Sequence, residues 1–465
     1  MFITQKPPPS AMLITSFQLH SVLSTAYSQA ARKFLAGPSE KWEKKGIRCS
    51  SASLNCFSGG ILKMEVKNCS SNGGCCASQV NNGDLPLPGA FLEFLEENGL
   101  DPSIYSLAES IPRYIRVKPE FESDIGGIES ELNCKLEKVI WLPSFYSIPP
   151  HIQIASSQSY QLGKIYGMDA ASGAAVLALN VLPGDHALDL CAAPGAKLCM
   201  LCDMLGRTGS LTGVDVARHR LAACRTMLQK YSIGDVCRLF VSDGTSFSVL
   251  PFRSKYGTDG TNPEVSEVKF AEWTNRKSRK EKRRERRARE RNYSKPNPEP
   301  ELLFYGRNSG VAGLSKSELF HPIKDDEPCS SGYDKVLVDA ECTHDGSIKH
   351  IQKFESWGWK TLQRRVLDAE RTDDLFNLQL RLLTNGFKLL KTGGTLVYST
   401  CSLTVAQNED VIERFLCLNP LAELQEVDVA EKWPCKAGRI PKTLRFDPTT
   451  SQTSGLFIAK ISKLP

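Results

Sequence analysis

The sequence predicts an α/β protein with a doubly wound, mostly parallel sheet. From residue 186 onward, short apolar runs that suit buried strands alternate with helical patterns, which is typical of a parallel sheet covered on both faces. A turn of small residues follows the first run, and polar residues follow the later ones, at the edge where such sheets bind ligands. The 465 residues also allow a small α+β domain before the sheet and a basic, disordered insertion within it.

Composition restricts the class of protein further. Hydrophobic residues make up 41% of the chain, enough for a packed core, and no run of eighteen apolar residues offers a membrane span. The 16 cysteines are scattered, and Cys199 and Cys202 lie within a predicted helix, without the second pair that a zinc ribbon needs. We therefore expect reduced thiols, no metal site and no membrane partner.

Changes in composition divide the chain into regions. Residues 1–84, rich in Ser, Asn and Gly, predict a disordered tail that is also compatible with an organelle transit peptide. Residues 85–150 predict the small α+β domain, and residues 151–465 the main domain, interrupted by a low-complexity insertion at 251–332. Within that insertion, residues 276–291 hold eleven Lys or Arg and three Glu, so the remaining chain carries a net charge of −2. This segment is interpreted as a nuclear address, a polyanion-binding arm or a solvated loop.

The predicted elements follow from the same patterns. Strands of the main sheet are expected at 186–190, 211–214, 237–241, 335–338 and 395–398, with an antiparallel closing strand at 455–461. Helices are expected at 168–182, 197–205, 218–230, 369–391 and 407–418. In the small domain we expect helices at 88–96 and 103–110 and strands at 114–118 and 139–142.

Polar residues come where each parallel strand ends, and they include Asp189, Asp215, Asp243, Asp339 and Cys401. Because parallel strands share one direction, we expect these residues along one edge of the sheet. Asp215, placed 24 residues after Cys191, suits ribose hydroxyls, and Asp243 suits an exocyclic amine such as that of adenine. The turn lacks Gly-x-Gly-x-x-Gly, so a nucleoside cofactor without phosphates, such as S-adenosylmethionine, fits better than a dinucleotide. A turn or helix-capping role remains the alternative for each aspartate.

Two cysteines at this edge, Cys342 and Cys401, indicate the reaction. A thiolate is a soft nucleophile that can add to an electron-poor ring carbon. Carbon 5 of a pyrimidine is too weak a nucleophile to take a methyl group directly, but addition of a thiolate at carbon 6 makes it one. Asp339 is placed to assist that addition near N3 and N4 of the base. Alternatively, both cysteines are small buried core residues.

Taken together, these motifs resemble the Sun-domain family of RNA cytosine-5 methyltransferases. The likeness covers about residues 85–465 and rests on Arg113–Pro119, Cys191–Lys197, Asp215, Ser242–Gly244, Asp339–Cys342 and Ser399–Ser402. It implies a Rossmann-like methyltransferase fold and methyl transfer from S-adenosylmethionine to carbon 5 of a cytosine in tRNA or rRNA. The small domain and the basic insertion would help to hold the RNA.

The resemblance also assigns roles to residues. The cofactor would contact Cys191, Ala192, Ala193, Pro194, Gly195, Ala196, Lys197, Asp215, Asp243 and Asp339. Cys401 would be the nucleophile, and Cys342 would assist release of the product. Asp339 and Lys197 would face the target cytosine and the cofactor and complete the catalytic set.

Two positions depart from the family pattern. Ala196 stands where a second glycine is usual, and its methyl group is tolerable if φ is negative there. Glu341 stands where proline usually precedes the cysteine. If Glu341 points inward, it would raise the pKa of the Cys342 thiol, or it could itself accept a proton.

Two other functions remain open from the sequence. A DNA cytosine-5 methyltransferase would attack with the cysteine that corresponds to Cys342, and a non-catalytic RNA-binding assembly factor could retain the fold. A monomer is expected. The compartment is expected to be the nucleus or cytoplasm, with an organelle compatible with the N-terminal segment.

Overall fold

Two β-sheets organise the part of the chain that the computed structural model describes, residues 87–251, 280, 299–311, 314, 316–320, 332–362 and 366–465. All of these residues belong to one unit, Gln79–Pro465. The expected tail at 1–84 and, apart from Lys280, the basic segment at 276–291 lie outside the described residues. Among the described helices, none combines the length and the apolar composition that a membrane span needs.

The smaller sheet has four antiparallel strands in the order β2-β3-β1-β4. They are β1 Arg113–Val117, β2 Glu137–Lys138, β3 Phe145–Ile148 and β4 Ile165–Gly167. Helix α1 (Gly89–Glu97) and a 3-10 helix (Pro102–Glu109) precede them, and α2 (Ile125–Leu132) and α3 (Gln158–Gln161) lie between them. The fourth strand comes after residue 150, where we expected the small domain to end.

The strand expected at 139–142 is wrong. The N–H of Leu142 donates to the carbonyl of Val139 at 3.1 Å, which closes a turn. Ile140 is 95% exposed, so this apolar residue does not enter the core. An apolar run of four residues cannot by itself distinguish a strand from a turn beside one, and the strand here begins at Phe145.

The larger sheet has ten strands, nine of them in the order β12-β13-β14-β10-β9-β5-β6-β7-β8, with β11 paired to β14. Their bounds are β5 His186–Asp189, β6 Ser210–Asp215, β7 Cys237–Val241, β8 Glu301–Tyr305, β9 Tyr333–Asp339, β10 Leu390–Thr400, β11 Ala422–Gln425, β12 Lys436–Ala437, β13 Thr443–Phe446 and β14 Leu456–Lys463. The central strands β10-β9-β5-β6-β7 are parallel. The chain order reverses between β5 and β9, a position that commonly opens a ligand crevice.

Helices cover both faces of this sheet, which confirms the predicted doubly wound α/β fold. The helices are α4 Ala170–Leu179, α5 Ala196–Leu205, α6 Arg218–Lys230, α7 Lys316–Leu319, α8 Ile348–Trp357, α9 Trp359–Leu362, α10 Ala369–Leu389, α11 Glu409–Leu418 and α12 Pro448–Ser451. Successive strand residues point to opposite faces. Ala187 thus joins the core beneath α4, α5 and α6, whereas Leu188 joins the core beneath α10 and α11.

The edges of the larger sheet differ from the expectation. Residues 301–305, inside the expected low-complexity insertion, form β8 and pair antiparallel with β7. Phe304 packs on one core and Leu302 on the other, so this short run has apolar side chains for both faces. Towards the opposite edge, the predicted antiparallel strand is confirmed, because β14 pairs with β10, but β13 and β12 continue the sheet beyond it.

Candidate active site

The carboxyl ends of β5, β6, β9 and β10 bring the predicted polar residues to one edge of the sheet. Asp189, Asp215 and Asp339 are the last residues of β5, β6 and β9. Asp339 is paired in register with Ser399 of β10, so Cys342 and Cys401 follow two neighbouring strands. Parallel pairing of β9 with β10 is therefore the feature that brings the two cysteines together.

The two cysteine side chains form a cluster with a histidine. The Sγ atoms of Cys342 and Cys401 are 3.4 Å apart. The Nδ1 atom of His344 lies 2.9 Å from the Sγ of Cys401 and 3.6 Å from that of Cys342. His344 was not predicted from the sequence, although it stands two residues after Cys342.

The two Sγ atoms and the Nδ1 of His344 lie within 4.8 Å of one another, a spacing that is also found among the ligands of metal ions. However, tetrahedral zinc bound to sulfur and nitrogen at its usual bond lengths holds those two atoms about 3.5 Å apart. The 2.9 Å between His344 and Cys401 is shorter than this and is a hydrogen-bond distance. We therefore interpret the group as a hydrogen-bonded thiol–imidazole cluster.

Protons are shared unequally within the cluster. A hydrogen bond to Cys342, together with burial, raises the pKa of Cys401 well above its ordinary value. Burial alone would also raise the pKa of Cys342, but the hydrogen bond from Cys401 and the charge of His344 hold it well below the ordinary value. The negative sulfur of Cys342 in turn raises the pKa of His344 to about 9. These directions favour a negative charge on the sulfur of Cys342 beside a His344 imidazolium, with the proton of the pair on Cys401.

Glu341 does not have the effect that an inward side chain would have produced. Its side chain is exposed, and its carbonyl oxygen accepts a hydrogen bond from Gln379 at 2.8 Å. The pKa of the neighbouring Cys342 is lowered rather than raised. A direct role for Glu341 in accepting a proton remains compatible with its exposure.

Buried polar side chains fix the two cysteine loops against each other. The Oε1 of Gln407 accepts from the N–H of Thr343 at 3.0 Å, and its Nε2 donates to the Oγ1 of Thr343 at 2.9 Å. The N–H of Gly346 donates to the carbonyl of Cys401 at 2.9 Å. A Cβ at Gly346 would lie 2.7 Å from that carbonyl oxygen, so the loops approach too closely for a larger residue. The thiols are thus positioned by a buried hydrogen-bond network.

Lys197 and Asp339, both predicted as catalytic residues, contact each other. The Nζ of Lys197 lies 2.8 Å from the Oδ2 of Asp339, and Ser399 donates to the Oδ1 of Asp339 at 2.7 Å. Burial acts to lower the pKa of Lys197, but the Asp339 carboxylate holds it above the ordinary value. Lys197 therefore remains a cation at the start of α5, beside the turn.

The small-residue turn at 191–196 is anchored on β6. The N–H of Ala192 donates to the carbonyl of Val214 at 2.9 Å, and the N–H of Ala193 to the Oδ2 of Asp215 at 3.3 Å. Gly195 has φ +116° and precedes α5. Ala196 is the first residue of α5 and is not among the residues with positive φ. The methyl group of Ala196 is therefore tolerated at this position, where a second glycine is usual.

The acidic residues differ in their surroundings. Asp189 is 1% exposed, and burial, reinforced by the charge of Asp339, raises its pKa to about 7. Asp215 accepts from the N–H of Ala217 at 2.7 Å through its Oδ1. Asp243 is exposed and accepts from both N–H and Oγ1 of Thr245, at 2.9 and 2.8 Å, as a turn-capping residue does.

This set of groups is chemically suited to a nucleoside. Asp215 and Asp243 supply acceptors for hydroxyl and amine groups at two adjacent strand ends, and the small side chains at 191–196 allow a ligand to approach the backbone closely. The residues predicted to contact a cofactor therefore fit the polar groups of such a molecule.

Comparisons with known proteins agree with this geometry. The sequence profile described as 16S rRNA methyltransferase RsmB/F matches residues 176–251 and 321–462. A tRNA (cytosine(49)-C(5))-methyltransferase from Pyrococcus abyssi is 33% identical over 140 residues, 28% of this chain and 42% of that protein. The 5-cytosine rRNA methyltransferase NSUN4 from Bos taurus is 29% identical over 248 residues, 53% of this chain and 44% of that protein. The chain spans about half the length of the curated relatives it matches.

The fold has a counterpart among solved structures. The crystal structure of NSun6 from Pyrococcus horikoshii with SFG matches with a TM-score of 0.52 at 14% identity, covering 82% of this chain and 99% of that one. At this identity the match shows a shared fold, the predicted Rossmann-like methyltransferase architecture. The profile match over residues 176–251 and 321–462 confirms the predicted resemblance to the Sun-domain family of methyltransferases.

Proposed function

We propose that the protein transfers a methyl group from S-adenosylmethionine to carbon 5 of a cytosine in tRNA or rRNA. The observation that carries this proposal is the pair of sulfur atoms of Cys342 and Cys401, 3.4 Å apart beside the Lys197–Asp339 ion pair. The matched relatives from Pyrococcus abyssi and Bos taurus support it, since they are a tRNA and an rRNA cytosine-5 methyltransferase.

The cofactor would lie along the turn at 191–197. Asp215 would accept from the ribose hydroxyls, Asp243 from the adenine amine, and Lys197 and Asp339 would lie near the methionine end. When bound, S-adenosylmethionine supplies a methyl group on a sulfonium sulfur, an electrophile for the activated base. The match to a structure of NSun6 with SFG, an analogue of S-adenosylmethionine, is consistent with this assignment.

Cys401 would act as the nucleophile. Its S–H bond breaks as the proton passes to the Cys342 thiolate 3.4 Å away, and its sulfur forms a bond to carbon 6 of the cytosine. The electron pair of the C5=C6 bond then becomes available at carbon 5, which takes the methyl group. Asp339 would assist by hydrogen bonding near N3 and N4 of the base. The target base has to leave its stack to reach this site.

Release reverses the first bond. A base removes the proton from carbon 5, the C5=C6 double bond forms again, and Cys401 departs as a thiolate. Cys342, now a thiol, returns its proton to Cys401 and so assists the departure. Glu341, exposed in the same loop, is the candidate for the base that takes the carbon 5 proton.

Methyl transfer to bulk RNA tests the proposal. The full chain is incubated with radiolabelled S-adenosylmethionine and separated tRNA and rRNA, with Cys401→Ala as the matched control. We expect label in one RNA class with the wild type and none with the variant. Bisulfite sequencing of RNA from cells with and without the protein then gives the nucleotide. Absence of transfer to RNA, with cofactor binding intact, would favour a non-catalytic RNA-binding factor instead, and transfer to DNA would favour the DNA enzyme.

A further inference from the structure

His344 lies against both reactive sulfur atoms, yet the proposed reaction gives it no role. Its Nδ1 is 2.9 Å from the Sγ of Cys401 and 3.6 Å from that of Cys342. Lys197, another cation of the site, forms an ion pair with Asp339, with its Nζ 2.8 Å from the Oδ2 of Asp339. His344 is therefore the cationic group that is in hydrogen-bond contact with the thiols themselves.

We propose that His344 is a further catalytic residue, whose imidazolium keeps one thiolate in the Cys342–Cys401 pair and stabilises whichever sulfur carries the charge. This inference rests on the proposed cytosine-5 methyl transfer. Cysteine–histidine pairs activate thiol nucleophiles in this way in other enzyme classes. Here the imidazolium serves two sulfur atoms in turn.

The ring is held in place by its surroundings. His344 has φ +59°, in the left-handed region, which a non-glycine residue adopts at some cost in conformational energy. The N–H of Ser347 donates to the carbonyl of His344 at 3.0 Å. Its ring meets that of His350, with centroids 5.2 Å apart. His350 packs in turn on Phe354 and Trp357 of α8. The imidazole thus contacts both the thiols and an aromatic cluster.

The proposed steps conserve protons within the cluster. At rest, His344 is protonated, Cys342 is a thiolate and Cys401 is a thiol. When the proton of Cys401 moves to Cys342, the negative charge moves to Cys401, and the His344 N–H donates to that sulfur. Formation of the S–C6 bond consumes this charge. When the bond breaks, the same N–H stabilises the departing Cys401 thiolate until Cys342 returns its proton.

Several charged or titratable groups act on His344. They are Cys342, Glu341 and Asp339, which all raise its pKa, together with Cys401 at 2.9 Å and the His350 ring. The negative groups favour the charged imidazole that the role requires, and they outweigh burial, which opposes it.

Thiol alkylation tests this role without cofactor or RNA. The full chain is treated with iodoacetamide across pH 5–10, and the peptides of Cys342, Cys401 and the exposed Cys417 are quantified by mass spectrometry. Burial slows reaction of the pair at every pH, so the midpoint of each pH profile is compared, with Cys417 as internal reference. The variants are His344→Asn and His344→Gln, and His151→Gln is the control at an exposed histidine.

In the wild type, we expect one member of the pair to react with a midpoint below that of Cys417. In both His344 variants, the rate at pH 7 relative to the high-pH plateau should fall at least tenfold, since one pKa unit changes the thiolate fraction tenfold. The His151 control should keep the wild-type profile. A wild-type profile in His344→Asn would overturn the proposal, because that variant retains a hydrogen-bonding group but no charge. A wild-type midpoint no lower than that of Cys417 would also overturn it, even if the variants fail to fold.

Failure here is distinguishable from failure of the proposed function. Alkylation reports only on the charge of the thiols, whereas methyl transfer by the wild type and its loss in Cys401→Ala report on the reaction. A protein that methylates RNA but shows no dependence of thiol reactivity on His344 would refute only the role of His344.

Discussion

Replacing Gly195 by alanine should weaken the turn proposed to hold the cofactor. Gly195 has φ +116°, and placing an L-residue in the left-handed region costs about 1–2 kcal/mol. The new Cβ would also lie 3.2 Å from the Cα and 3.3 Å from the Sγ of Cys224, so α6 would have to shift by a few tenths of an ångström. With roughly 1 kcal/mol for that strain, the free energy of unfolding should fall by about 2–3 kcal/mol.

Thermal unfolding and cofactor binding measure this effect. A loss of that size should lower Tm by about 3 °C in a unit of this length, and the affinity for S-adenosylmethionine should fall because α5 begins at the next residue. Ala196→Gly is the matched control. Its backbone is already helical, so we expect a change within about 1 kcal/mol. If Gly195→Ala matched the Ala196→Gly control in both Tm and affinity, the reasoning about this turn would be refuted.

Two further changes probe the charges and the packing of the site. Asp189→Asn should stabilise the protein at pH 8 by up to about 4 kcal/mol. The pKa of the wild-type carboxyl is raised to about 7, so the folded chain binds that proton more tightly than the unfolded chain. The stability of the wild type therefore falls as pH rises from 4 through 7. Urea unfolding should show the difference shrinking towards pH 4, and a difference independent of pH would contradict it. Gly346→Ala should reduce methyl transfer about a hundredfold by displacing the carbonyl of Cys401, which its Cβ would approach to 2.7 Å. Gly126→Ala, with nothing within 4 Å of its Cβ, should leave the rate unchanged. Equal rates for the two variants would contradict the claim that a Cβ at residue 346 displaces the carbonyl of Cys401.

The central sheet could be predicted because its strands are buried on both faces. Runs such as 239–241 and 336–338 are apolar at successive positions, which is typical of strands covered on both faces. Once the strands are parallel, their ends must meet at one edge, so Asp339, Cys342 and Cys401 could be grouped without coordinates. The order of the strands, and hence the contact between the two cysteines, required the pairing of β9 with β10.

Other features depended on tertiary context. The run at 301–305 becomes a strand because β7 offers it an edge, which no local pattern reveals inside a long insertion. The apolar run at 139–142 is a turn, with Ile140 left in solvent. His344 was missed because its role depends on the Sγ of Cys401, 57 residues away in sequence and 2.9 Å away in space.

Trapping the covalent intermediate tests the central claim, nucleophilic attack by Cys401, most directly. Bulk RNA that contains 5-fluorocytidine should hold the enzyme in its adduct, because release requires loss of a proton that fluorine replaces. Wild type and Cys342→Ala, incubated with this RNA and S-adenosylmethionine, should each give a slower-migrating species on a denaturing gel. Cys401→Ala should give none. An adduct in Cys401→Ala that disappears in Cys342→Ala would contradict the account and assign the attack to Cys342.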